Sequence, residues 1–232
     1  MAERPIFVPS LDGPELVNEI SCNITWHPGF APVQKKKNIK ALHESAAKAG
    51  YLPLLEVSTK SDDALGQHLS AFHLKVHHST VGDITLECAF QGSKVFEGGG
   101  PYTDLYRMDP KSAKRDHRLH SSGRLIGFRF GDFNFPLEPK TAFYDWLYVN
   151  AIFPHRDWLK RLYQYAGFTD IEFNPERSIN CQARSCALFV ALNRKALLSE
   201  AVESPQNFIR ISTPHKMAPQ STSEKIQPPL FS

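Results

Sequence analysis

The run ITLECAFQGSKVF, Ile84 to Phe96, sets an acid, an amide and an amine, Glu87, Gln91 and Lys94, among Leu86, Phe90, Val95 and Phe96. A carboxyl can carry a proton to or from a reacting atom, and an amine, once neutral, is a nucleophile. On an α-helix of about 100° per residue, positions i, i+4 and i+7 fall within roughly 60° of one another. The segment reads as a helix with Thr85 as N-cap and Glu87 in the first turn, where a carboxylate is favoured. The three polar groups then form one narrow stripe, which is either a solvated face or a catalytic one. Two features favour the second. Large apolar residues flank the stripe, and EGGGPYTDLY, a glycine-rich turn with aromatic residues, follows at once. An unperturbed lysine, with a pKa near 10.4, is neutral in only about one molecule in 2,500 at pH 7. Lys94 therefore needs desolvation, which its apolar neighbours would supply, or nearby cations, for which Arg115, Arg118 and Arg124 are candidates.

The elements that must position these groups can be read along the chain. Its 232 residues, 41% of them hydrophobic and 22% charged, suffice for one sizeable core. Residues 1–30 are Pro-rich and read as an irregular segment packed on the domain, with β-like runs at Ile6–Val8 and Asn23–Trp26. QKKKNIK opens a helix that runs through LHESAAKA, with Gly50 at the position past its end. LLEVSTK reads as a strand, DDALGQHLSAF as a helical turn and HLKV as a strand. SAKRDHRLHSSGRLIGF is basic and partly helical, and EPKTAFYDWLYVNAIF is a helix that Pro154 must end. HRDWLKRLYQYAG reads as another helix, FTDIEF as a short strand and INCQARSCALFVALNRKALL as a buried helix. Residues 31–212 thus form one α+β domain, mostly helical with a small sheet, and the Pro/Ser-rich tail, 213–232, is expected to be disordered.

Composition narrows the function classes. A formal net charge of +3 is too small for a whole-protein field toward nucleic acid, which leaves local patches such as Lys35–Lys37 and the basic stretch Lys111–Arg129. Four cysteines without CxxC spacing, and no signal-like or membrane-length apolar run, read as reduced thiols in a cytoplasmic protein that engages no membrane. His68, His73, His77 and His78 cluster without metal-ligand spacing, so neither a metal site nor a cofactor is expected.

Three motifs resemble the NADAR family, the YbiA-like N-glycosidases. Glu87-Cys88-Ala89-Phe90-Gln91-Gly92-Ser93-Lys94-Val95-Phe96 is similar to the family signature E-H-x-x-Q-A-x-K-F. Leu69-Ser70-Ala71-Phe72 stands where the family carries L-S-N-F, and SINCQARSCALFVAL resembles its closing segment, with Asn180 as the shared asparagine. The resemblance spans roughly residues 50–200 and is nearest to the branch encoded beside DarT-type DNA ADP-ribosyltransferases. The chain departs from the signature in having Cys88 where the family has histidine and Ala71 where it has asparagine. The W-G pair that usually precedes the closing asparagine is absent.

The resemblance implies a YbiA-like fold and removal of ADP-ribose from guanine in DNA, single-stranded or with the base extruded, releasing ADP-ribose. It implies an antitoxin role, with the cognate DarT-type toxin as a further partner. Lys94 would form a Schiff base with the opened sugar, Glu87 would be the general acid/base and Gln91 would orient one of the two. Arg115 would bind diphosphate, and Phe72, Trp146 and Tyr102 would supply stacking or sugar packing. Ser70, Asp170 and Asn180 are pocket candidates by family position. Two other readings stand beside this one: an N-glycosidase acting on a free ribosylamine of the riboflavin pathway, and a non-catalytic ADP-ribose-binding module.

Overall fold

A computed structural model describes residues 1–213, so the tail expected to be disordered lies outside the described residues but for Thr213. The fold is α+β, 43% helical and 20% strand, so helices carry most of the core as expected. The first sheet has the strand order β2-β1-β9-β3. Strand β1 (Ala2–Pro9) pairs antiparallel with β2 (Val17–Ile24) along its whole length, from Ala2↔Ile24 to Pro9↔Val17. Residues 2–24 of the segment expected to be irregular are therefore a hairpin. The prolines that argued against a strand are tolerated because β1 meets its other neighbour only at Phe7↔Phe168, so few ladder bonds need their missing N–H. On the far side, β3 (Leu54–Glu56) pairs parallel with β9 (Gly167–Thr169).

Helix α1 (Pro32–Lys48) opens on a proline at its first turn and gives way to Gly50 at φ 87°, a backbone state that favours glycine. Helix α2 (Ala64–His68) is capped by Asp63, whose carboxylate accepts from Leu65 N at 2.8 Å. The turn after it leads into a hairpin of β4 (Lys75–His78) and β5 (Gly82–Thr85). Helix α3 (Leu86–Gly92) follows directly, then β6 (Lys94–Phe96). After short helices α4 (Pro110–Lys114) and α5 (Arg118–Ser121), β7 (Leu125–Phe130) and β8 (Phe133–Phe135) complete a sheet in the order β6-β7-β8.

Two helices form the centre. Helix α6 (Ala142–Ile152) is buried almost all round, and so is most of α7 (Gln182–Arg194), with α8 (Leu198–Glu203) and α9 (Pro205–Ser212) packed beside them. Pro154 ends α6 as expected, inside a short 3₁₀ turn at Phe153–His155. HRDWLKRLYQYAG is a 3₁₀ segment over Trp158–Gln164 where an α-helix was expected. Only Leu159 and Leu162 in it are buried, and their spacing of three matches the three-residue turn. All four cysteines are free and buried, and no helix among the described residues is long and apolar enough to cross a membrane.

One glycine lies close against the first residue of β6. Gly100 has φ 84°, and a Cβ there would lie 2.3 Å from the carbonyl oxygen of Lys94. Gly100→Ala is expected to destabilise the protein by more than about 1 kcal/mol, because the strained backbone and the clash act together. Urea unfolding of both proteins checks this; an unchanged midpoint would mean that the loop yields freely.

Candidate active site

The stripe is built differently from the single helix expected of it. Thr85 takes the N-cap position of α3 but makes no capping bond with its side chain, and Glu87 lies in the first turn. The helix stops at Gly92, whose Cβ position is filled by the Tyr106 ring at 2.6 Å. Ser93 then turns the chain. Its hydroxyl donates to Ala89 O at 2.7 Å, and its carbonyl accepts from Arg129 N at 2.8 Å, which starts the pairing with β7. Lys94 is therefore the first residue of a strand and not a third member of a helical face. It returns to the stripe because its long side chain folds back over Phe90, with Nζ 5.0 Å from the ring centre.

The three groups form a linear chain. Lys94 Nζ donates to Gln91 Oε1 at 2.6 Å, and Gln91 Nε2 donates to Glu87 Oε1 at 2.9 Å. Glu87 and Gln91 are each only 6% exposed, so the stripe is not a solvated face. Burial holds the Lys94 amine well below the usual lysine range, at about 8; the Glu87 carboxylate opposes that shift and Lys114 reinforces it. At that value roughly a tenth of the molecules carry a neutral amine at pH 7.

The reinforcing cation is Lys114, not the expected arginines. Lys114 Nζ lies 3.8 Å from Glu87 Oε1 and 5.8 Å from the centre of the Phe72 ring, which brings Phe72 to the site. Arg118 is engaged by Asp104 and Asp116, and Arg124 by Glu97. Arg115 is exposed at the end of α4, one residue beyond Lys114. Of the KKK run, Lys35 pairs with Glu172 at 3.0 Å and Lys36 with Asp62 at 2.5 Å.

The LSAF turn and the closing segment meet at the start of α3. Ala71 O accepts from Glu87 N at 3.2 Å, while Ala71 N donates to Gln182 Oε1 at 2.8 Å. Gln182 in turn hydrogen-bonds the Asp170 carboxyl, which burial and the neighbouring Glu56 push up to about 8. Tyr144, packed edge-on against Phe90 at 5.2 Å, lies within the influence of both Glu87 and Asp170. Asn180 stands two residues before α7, and its Oδ1 is buried without a partner among the described residues. Ser70 is buried beneath the site, where its hydroxyl accepts from Phe72 N at 3.4 Å and shapes the turn.

Two expected pocket residues are engaged by other groups. Trp146 walls a cavity of about 430 Å³ with His78, Phe130, Phe133 and Asn150, and none of Glu87, Gln91 or Lys94 lines it. Tyr102 is bound to Ser122 through its hydroxyl and stacks under Arg118 at 4.5 Å. In their place the structure brings Lys114, Tyr144 and Gln182. Lys114 and Gln182 stand within two positions of Arg115 and Asn180, so they were within reach of the sequence; Tyr144 carried no polar-stripe signal.

Residues 2–222 match the family of DarT1-associated NADAR antitoxins. The chain belongs to that family. No curated protein matches it. Of the family motifs, the signature supplies Glu87, Gln91 and Lys94, and the closing segment supplies the asparagine that the structure sets beside Cys181.

The lowered amine has a consequence for stability. Its value in the folded state lies below that of the unfolded chain, so the folded state is disfavoured in full below pH 8, and less so as pH rises from there toward 10.5. Lys94→Met should then stabilise the protein at pH 6.5, by about 2 kcal/mol after allowance for partial exposure. The gain should fall by roughly half by pH 9.5. Urea unfolding at the two pH values measures it; a gain that does not change with pH would mean that the amine is not shifted.

Proposed function

We propose that this chain is an N-glycosidase that removes ADP-ribose from guanine bases in DNA, acting in the cytoplasm as antitoxin to a DarT-type ADP-ribosyltransferase. The observation that carries the reading is the part-buried Lys94 amine, linked through Gln91 to the Glu87 carboxylate. An amine lowered to about 8 by desolvation supplies a neutral nucleophile in roughly a tenth of the molecules at pH 7, which a pure binding module does not require. Membership of an antitoxin family supports the biological role.

Glu87 delivers a proton to the leaving base nitrogen as the bond from that nitrogen to the anomeric carbon breaks. The neutral Lys94 amine adds to the same carbon, and the sugar ring opens with its oxygen taking up the proton that the amine loses, which leaves an imine. Water, activated by Glu87, adds to the imine and releases the aldehyde form of ADP-ribose and the free amine. The net reaction consumes one water and yields ADP-ribose and unmodified guanine. Phe72 would pack on the sugar, with Asp170 and Asn180 toward its hydroxyls. Lys114 and Arg115, exposed at the end of α4, would take the diphosphate. The basic stretch Lys111–Arg129 would touch DNA phosphates, which predicts salt-sensitive binding.

The test uses an oligonucleotide ADP-ribosylated on guanine, with wild-type, Lys94→Ala and Glu87→Ala proteins side by side. Wild type should release ADP-ribose, and each variant should lose at least about 100-fold in rate. Borohydride should trap a covalent adduct on Lys94 in the wild type. The reactive pair, neutral Lys94 with protonated Glu87, holds one proton in all, so the rate should be level just below the amine's value of about 8 and fall up to tenfold per pH unit above it. Wild-type protein that grips the modified DNA without releasing ADP-ribose would replace the enzyme with a binding module.

A further inference from the structure

An amide has one acceptor end and one donor end, and in Gln91 both are engaged. Its Oε1 accepts from Lys94 and its Nε2 donates to Glu87. The orientation is forced, because a carboxylate oxygen can only accept and a flipped amide would set oxygen against oxygen. Each end of the Gln91 amide is thus tied to one member of the chain, the oxygen to the amine and the nitrogen to the acid. We propose that Gln91 is a spacer that holds the Glu87 carboxylate away from the Lys94 amine and so keeps that amine available as a nucleophile. Its catalytic meaning rests on the glycosidase reading above; its electrostatic content does not.

The physical reason lies in distance. A carboxylate in direct contact with an ammonium in a desolvated site favours the charged amine far more than one acting across an intervening amide. Glu87 still acts on Lys94 in the direction of protonation, but desolvation outweighs it. The groups facing the amine are Glu87 on α3 and Lys114 on α4, which oppose each other. Tyr144 on α6 lies within the influence of Glu87 and of Asp170 after β9, and Arg129 on β7, one residue from Phe128, the pairing partner of Lys94, acts on Tyr106. With the acid one amide removed, Glu87 keeps hydrogen-bonding capacity toward a reacting atom while the amine keeps its lone pair. A glutamate at 91 would destroy that separation without changing the side chain's shape.

The test reads Lys94 directly, without the glycosidase reaction. Full-length protein is labelled with trace acetic anhydride across pH 6–11, and mass spectrometry follows acetylation of the Lys94 peptide, with circular dichroism as the check on folding. Wild type should reach half of its limiting reactivity near pH 8. Gln91→Glu should move that midpoint up by at least about one unit, so that labelling at pH 8 falls about fivefold or more. Glu87→Gln should move it down. The opposite directions are what a merely structural role of Gln91 would not produce. A Gln91→Glu profile that superimposes on wild type overturns the proposal. Should that variant fail to fold, an unshifted or raised midpoint in Glu87→Gln overturns it equally. Failure of wild type to release ADP-ribose would remove the glycosidase reading and leave the labelling profiles to decide on Gln91 by themselves.

Discussion

Every residue of α3, from Leu86 to Gly92, is buried. A helix of seven residues enclosed on all sides cannot send a polar side chain to solvent, so each polar group on it must find a partner within the protein. Glu87 and Gln91 satisfy each other, and Gln91 takes Lys94 as its second partner. The enclosure decides two things at once, the order of the chain from amine to amide to acid and the desolvation that lowers the amine; Lys114, with a side chain 59% exposed, comes within 3.8 Å of Glu87. A helix with one wet face would have solvated all three groups and left Lys94 an ordinary surface lysine.

Long-range pairing supports this enclosure. The parallel pairing of β3 with β9 carries the chain from Thr169 to Asp170 beside the LSAF turn, and a buried network holds that pairing in register. Thr169 donates its hydroxyl to Glu56 at 2.6 Å, which leaves the oxygen to accept from His43 Nε2 at 3.0 Å. Burial depresses His43 to about 4, so it is neutral and can fill that donor role from α1. Ser58 Oγ and Ile171 N also donate to Glu56. Four polar groups from three distant stretches of chain thereby fix where β9 ends and where Asp170 begins.

The departures from the family signature fall where the fold does not need the missing side chain. Ala71 replaces an asparagine, yet its position is used through the backbone: its carbonyl binds Glu87 N and its N–H binds Gln182. Cys88 replaces a histidine, and its fully buried thiol donates to Met108 O at 3.1 Å, on the loop that leads to α4. Burial raises that thiol, so at neutral pH it is an uncharged packing group behind the acid. Position 88 thus bears on how α4, and with it Lys114, is held against the site.

Local pattern in the sequence determined the elements whose reasons are local. The proline at the start of α1 and the glycine after it, the Asp63 cap of α2, and the apolar density of α6 and α7 are each visible in a few neighbouring residues, and so was the polar content of the stripe. The family motifs likewise singled out Glu87, Gln91 and Lys94. What the sequence could not carry depends on partners far along the chain. Ala2–Pro9 and Val17–Ile24 form strands because each is the other's partner and Phe168 closes the edge, a fact that two prolines concealed. Lys94 leaves the helix because Arg129 captures the carbonyl before it. Trp146, expected beside the sugar, turned to a different cavity because α6 is buried on every face and sequence periodicity has no direction to report in such a helix. The amine's acidity was decided only in the tertiary structure, because desolvation is a property of what surrounds a group and not of the group's place in the chain.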